Sequence, residues 1–299
     1  MTDLNQKQAY LLMIHDNTEQ VNLLLQSLDS SYSDIFIHID KKSNISRSDI
    51  VTLKYSKVYF SNSLNIYWAE YSQVQCEIDL LHLATETGSY RYYHLLSGAD
   101  FPLKNQDDIY RFFQDRDDIF LHYTTLKNVE KTLYFVRYYH FFQEKLCIVN
   151  RDQTFSIYKV FNKLCLLIQQ LLHVNRLIDG IEIKKGANWF SIPDDFAHYV
   201  LAREDWIYRH FKYTRSPDEF FLQTLAFNSD EFKRRIYRFY EDDSSESCLR
   251  YIDWMRGTPY VFRIQDFDEL KDSDMFFARK FDMSTDTEIL EKLYRSISA

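Results

Sequence analysis

Short apolar runs that stop abruptly at polar residues, each followed by a helix-like stretch, fill the first 125 residues. This feature constrains the fold most. "AYLLMI" (9–14) ends at His15-Asp16-Asn17, and "TEQVNLLLQSLDS" (18–30) has helical spacing. "DIFIHID" (34–40) is β-rich and closes on charge, and "KVYF" (57–60) reads as a third short strand. "AEYSQVQCEIDLLHLATETG" (69–88) is helical and stops at Gly88, in a C-cap position. "RYYHLLSG" (91–98) is a strand, "ADFPLKN" a turn, "QDDIYRFFQD" (106–115) a helix and "DIFLHY" (118–123) a strand. Such alternation predicts an α/β domain with a largely parallel sheet flanked by helices. Ligands of such sheets sit beyond the carboxyl ends of the strands. His15, Asp40 to Lys42 and Ser97 to Lys104 are therefore expected to line a site.

The second half is less regular. "GANWFSIPDDFAHYVLA" (186–202) reads as a strand, a turn and a helix, and "SPDEFFLQTLAFN" (216–228) as a further helix. "FSIYKVFNKLCLLIQQLLHV" (155–174) carries Lys159, Asn162, Lys163, Gln169 and Gln170 among apolar residues at helical spacing. It is an amphipathic helix, not a membrane span. Packing on the core is its expected role, and lying on a membrane surface is the secondary reading. No repeat, low-complexity tract or composition shift marks a boundary, so residues 1–299 read as a single domain.

Composition narrows the chemistry. With 5 Gly in the chain, neither phosphate-cradling glycine loop can be built in its usual form. No H-E-x-x-H or G-x-S-x-G occurs. A net charge of -8 argues against a nucleic-acid binder. Cys76, Cys147, Cys165 and Cys248 lack C-x-x-C spacing and read as buried free thiols of a reducing compartment. The D-x-D pairs Asp115/Asp117, Asp266/Asp268 and Asp272/Asp274 sit in polar stretches and read as solvated turns and caps. No metal site is expected. The N-terminal apolar run is too short for a signal peptide. The expected location is cytoplasmic, with peripheral attachment to the inner face of the plasma membrane if the acceptor is lipid-linked.

"SPDEFF" poses a local question. Ser216, Pro217 and Glu219 form a capping-box signature, with Ser as cap and Glu three residues on. A carboxylate at a helix entrance can equally serve as a base. Local spacing supports the cap alone.

Taken together, "AYLLMIHDN", "IFIHIDKKS", "YYHLLSGADFPLKNQDDI", "GANWFSIPDDFAHYVL", "SPDEFFLQTL" and "FFARKFD" resemble the Core-2/I-branching glycosyltransferase family, which includes peptide-O-xylosyltransferases. The resemblance spans roughly residues 9 to 282. It implies a GT-A fold, a UDP-sugar donor, inversion at the transferred carbon and independence from divalent metal. Residues 1–125 would then form the nucleotide-sugar half and 126–299 the acceptor and catalytic half. Carried over, Glu219 is the general base, and Lys280 neutralises the leaving diphosphate with Arg279 or Arg263 as helpers. Asp40, Trp68 and Asp100 lie on the nucleotide-sugar side, joined by His15, and Trp254 on the acceptor side. GlcNAc is the expected sugar, and a glycan or lipid-linked glycan of a surface polysaccharide the expected acceptor. The alternatives are a xylosyl- or hexosyltransferase of the same family, or an inactive sugar-binding protein of the same fold. The chain lacks the membrane anchor and disulfide cysteines of the animal relatives, and 122–185 does not align with their acceptor region.

Overall fold

The computed structural model describes residues 6–124, 129–152, 156–238 and 245–298. Among the described residues there are nine strands: β1 (Gln8–Ile14), β2 (Ser33–Ile39), β3 (Val58–Phe60), β4 (Tyr92–Ser97), β5 (Asp100–Pro102), β6 (Phe120–Leu121), β7 (Phe190–Pro193), β8 (Arg250–Ile252) and β9 (Phe277–Arg279). A six-stranded sheet runs β3-β2-β1-β4-β7-β6, and a three-stranded sheet runs β5-β9-β8. β3, β2, β1 and β4 are mutually parallel. β7 pairs antiparallel to both β4 and β6. The α/β expectation, with a mostly parallel central sheet between helices, is met.

Successive residues of a strand face opposite sides of the sheet, and β1 shows both sides covered. Ala9 and Leu11 belong to one buried cluster, and Tyr10, Leu12 and Ile14 to the other. The first cluster takes the helix Ser72–Thr87, through Val74, Ile78 and Leu81. The second takes the helix Thr18–Leu28, through Val21, Leu24, Leu25 and Leu28. Burying each such side chain contributes about 1.5–3 kcal/mol. Asn17 starts the second of these helices, its side chain accepting from the Gln20 amide at 3.0 Å. Gly88 ends the other by donating its N–H to Ala84 O at 3.1 Å. Its φ of 179° is extended, so that position does not need a glycine.

Four local expectations are corrected. "ADFPLKN" is not only a turn: Asp100–Pro102 forms β5, paired antiparallel with β9 so that Asp100 faces Arg279. "SPDEFFLQTLAFN" is split into a 3-10 turn at Pro217–Glu219 and a helix at Phe221–Phe227. Asp266 is not solvated; it is buried and accepts from Arg256 at 2.7 Å and from the Arg263 amide at 2.8 Å. Of the four cysteines expected to be buried, Cys76 and Cys248 are, while Cys147 and Cys165 are only half-buried.

The largest departure concerns the 155–174 stretch. Its helix forms at Ile157–Leu171, yet its apolar stripe faces outward, with Ile157, Val160, Phe161, Leu164, Leu167, Ile168, Leu171 and Leu172 exposed. The core-packing expectation fails there.

Candidate active site

Three backbone hydrogen bonds gather the strand ends into one ledge. Asp40 N donates to Ile14 O at 2.9 Å, Gly98 N to Met13 O at 3.2 Å, and Phe281 N to Ala99 O at 2.9 Å. His15, Asp40, the 98–100 turn and Lys280 therefore share an edge, at the carboxyl ends of β1, β2 and β4. Gln20 locks it from beneath. Its side-chain amide donates to Gly98 O at 2.7 Å and Phe281 O at 3.1 Å, and its oxygen accepts from Met283 N at 2.8 Å. This edge is also a topological switch point, because β1 leads to β2 on one side and has β4 on the other.

Side chains on the ledge are already partly committed. Asp40 accepts from the Lys42 amide at 2.9 Å and pairs with the Lys42 ammonium at 2.8 Å, so it also holds its own turn. Asp100 is buried, accepts from the Ser97 amide, and lies 3.4 Å from the Arg279 guanidinium. That guanidinium stacks on the Trp189 ring at 4.1 Å. Trp189 is buried, as its strand-entry position suggests. Lys280 is half-buried. Its carbonyl accepts from Phe262 N at 2.9 Å and its amide donates to Tyr260 O at 3.3 Å. Asp282 is held below the usual carboxylate range, first by the Ser284 hydroxyl and more weakly by the charge of Lys280.

Trp254 and Lys280 emerge from the same end of two parallel neighbours, because Ile252 of β8 pairs with Arg279 of β9. The Trp254 ring is 54% exposed. Arg256 shapes its loop, bonding to Asp253, to Asp266 at 2.7 Å and to Glu269 at 3.1 Å. Arg263 is exposed, and its amide caps the 3-10 turn Ile264–Asp266 through Asp266.

Glu219 sits on the turn Pro217–Glu219. Ser216 does not cap it with its side chain; it adopts φ 51°, ψ 54°, the left-handed region. The reason is tertiary: the Ser216 amide donates to Ala69 O at 3.0 Å, which ties this turn to the loop carrying Trp68. Trp68 is 64% exposed. The Glu219 carboxylate does not fold back on Ser216. It pairs with Lys185 at 2.8 Å, and each side chain is about one-third exposed (33% and 30%). The cap reading of "SPDE" is therefore replaced by an accessible, ion-paired carboxylate.

Next to it lies a carboxyl of the opposite kind. Asp218 is buried, and its Oδ1 has no hydrogen-bond partner. Burial, followed by the charge of Glu219, pushes its carboxyl up to about 7. Glu77, on the helix Ser72–Thr87, is fully buried; burial and then Asp218 push it up as well. Asn188 approaches Glu77 without hydrogen-bond geometry. Both shifts disfavour further negative charge beside Glu219. Sequence reasoning missed Glu77, Asp218 and Lys185. "PDE" and "KKGANW" were visible, but only burial separates their neighbouring charges into roles. Arg250 was also missed. It is buried, donates to Ser191 Oγ at 2.8 Å, Leu95 O at 3.1 Å and Phe190 O at 2.6 Å, and burial lowers its guanidinium to about 10.

One short strip joins these groups. Gly186 N donates to Glu219 O at 2.9 Å, Asn188 approaches Glu77, and Trp189 carries Arg279. Gly186 has to be glycine, since a Cβ there would lie 1.8 Å from His122 O. The arrangement thus offers one accessible carboxylate, positive charge at Lys280 and Arg279, and exposed indoles at Trp68 and Trp254. Such a set can take a proton from a hydroxyl and stabilise a leaving anion.

The chain is also similar to known proteins. Xylosyltransferase 2 of Rattus norvegicus is 25% identical over 309 residues, covering 95% of this chain and 33% of that protein. Xylosyltransferase 2 of Homo sapiens is 24% identical over the same length. Xylosyltransferase 1 of Rattus norvegicus is 25% identical, covering 95% of this chain and 35% of that protein. The chain thus spans about a third of the length of the relatives it matches. The sequence profile of the Core-2/I-Branching enzyme matches residues 8–274, and with the strand-end ledge and its carboxylate this places the chain in the Core-2/I-branching enzyme family.

Proposed function

We propose that this protein is an inverting glycosyltransferase that moves GlcNAc from a UDP-sugar to a hydroxyl of a glycan or lipid-linked glycan, in surface polysaccharide synthesis. The observation that carries the proposal is the accessible Glu219 carboxylate, paired with Lys185 and set beside the buried Asp218, whose carboxyl burial pushes up to about 7. In the step, the acceptor oxygen forms the new bond to the anomeric carbon while Glu219 takes the hydroxyl proton. The bond from that carbon to the β-phosphate oxygen breaks, and UDP leaves with the electron pair. General-base action of this kind is worth ~10²–10⁴-fold. Lys185 aims the carboxylate through its 2.8 Å ion pair. Lys280 opposes the charge that develops on the diphosphate without a divalent metal, with Arg279 and Arg263 in support. Arg279 is the weaker helper, because Asp100 already faces it. His15, Asp40, Asp100 and Trp68 border the donor, and Trp254 borders the acceptor.

A second reading, xylose as the transferred sugar, is favoured by the names of the relatives. A panel of UDP-sugars, run with and without EDTA and read by mass spectrometry of products, separates the two. Product from UDP-GlcNAc that survives EDTA supports the proposal, and product from UDP-xylose alone selects the second reading. Loss of product with EDTA would sink metal independence, and full transfer by Glu219→Gln would sink the base. No transfer with any donor would leave a sugar-binding protein of the same fold.

A further inference from the structure

The helix Ile157–Leu171 is inverted relative to an ordinary surface helix. At 100° per residue its exposed apolar side chains span an arc of roughly 140°, formed by Ile157, Val160, Phe161, Leu164, Leu167, Ile168, Leu171 and Leu172. The outermost are almost fully presented: Ile157 is 72% exposed, Leu171 71% and Leu172 70%. Phe142 extends the patch and is itself exposed, touching Phe161 with ring centroids 5.5 Å apart. This orientation is enforced from the inner side. Gln169 is buried and clamps Tyr139 at both backbone groups, accepting from its amide at 2.8 Å and donating to its carbonyl at 3.0 Å. Turning the stripe inward would break both bonds. Contiguous exposed apolar faces of this width mark an interaction surface.

Charge identifies the occupant. Lys159 and Lys163 sit together on one border of the arc, and residues 153–178 contain no Asp or Glu, in a chain whose net charge is -8. A wide apolar face bordered by lysines suits the interface of an anionic bilayer. A second copy of the chain suits it less. A two-fold helix pair would bring lysines of both copies together with no carboxylate in the stretch to answer them. The helix is roughly 22 Å long, too short to cross a hydrocarbon core of about 30 Å. No described helix is long and apolar enough to cross a membrane.

We infer that the helix Ile157–Leu171 lies in the plane of an anionic lipid surface, with its Leu164–Leu171 face in the headgroup region. This does not depend on the transfer reaction. It has a consequence for it, since the segment running on from this helix reaches Lys185 and Gly186, which hold Glu219.

Vesicle flotation of the full chain tests the inference. The wild type is expected to float with phosphatidylglycerol-rich vesicles, and about tenfold less with pure phosphatidylcholine. Leu164→Glu combined with Leu171→Glu should weaken binding on the order of a hundredfold, with an unchanged circular dichroism spectrum, because both side chains are solvated. Lys163→Glu is the second variant. It should lose the preference for the anionic vesicles and fold normally, which keeps the test open if the double variant misfolds. Absence of wild-type flotation, or equal flotation by the folded double variant, overturns the inference. So does a wild-type dimer in light scattering that the double variant dissociates while vesicles bind neither, which would assign the face to a second copy.

Discussion

The helices Thr18–Leu28 and Ile157–Leu171 carry the same kind of apolar stripe and point it in opposite directions. In the first, Val21, Leu24, Leu25 and Leu28 are fully buried against the sheet. In the second, the stripe faces out and the inner side is held by the hydrogen bonds of Gln169. Periodicity reports that a stripe exists. Which way it faces is decided by what the other side of the helix can bond to. The contrast extends to whole regions: the strand ends, their loops and the turn Pro217–Glu219 carry the candidate site groups, and the helix Ile157–Leu171 carries an exposed apolar stripe.

The sharpest way to break that division is at the base. Glu219→Gln should lower transfer by ~10²–10⁴-fold with little change in melting temperature, while Leu164→Ser leaves turnover of a water-soluble acceptor unchanged. Equal losses in the two variants, measured by product mass spectrometry, would dissolve the division. Next in size is the core itself. Leu24→Ala should cost about 2–5 kcal/mol in urea unfolding, and Leu164→Ala no more than about 0.5 kcal/mol.

The buried carboxyls give a smaller effect with a definite sign. Asp218 is raised in the folded chain, so below the ordinary carboxylate range both folded and unfolded forms are protonated and its contribution is fully present. Between that range and about 7 the unfolded form ionises first, and stability falls as pH rises. Asp218→Asn should remove most of that pH-dependent loss, seen as a flatter stability profile between about pH 4 and pH 7. Least of all, Ser216→Gly should gain a few tenths of a kcal/mol, because glycine adopts the left-handed backbone without strain. A loss in thermal melting would show that the Ser216 side chain matters there.

Much of this was legible in the chain. Apolar runs ending in His15, Asp40 and Ser97 marked the strand ends, and these did converge on one edge. The rest was hidden because it depends on partners distant in sequence. Ser216 looks like a cap until Ala69 takes its amide. "ADFP" looks like a turn until β9 pairs with it. Arg250 looks like a surface charge until the carbonyls of Leu95 and Phe190 surround it. Asp218 and Glu219 are adjacent letters with the same charge, and only burial separates them, raising the carboxyl of the first and leaving the second part-exposed and ion-paired.

The strip from Gly186 to Trp189 also acts as a ruler. Its first residue holds the backbone of the carboxylate and its last holds the guanidinium of the basic pair. Three peptide steps reach at most roughly 10 Å, so the two anchoring residues of the strip stay within that span of each other. Lengthening the strip by one residue is expected to shift the Glu219 turn relative to the basic pair, seen as lost transfer in a chain that still folds.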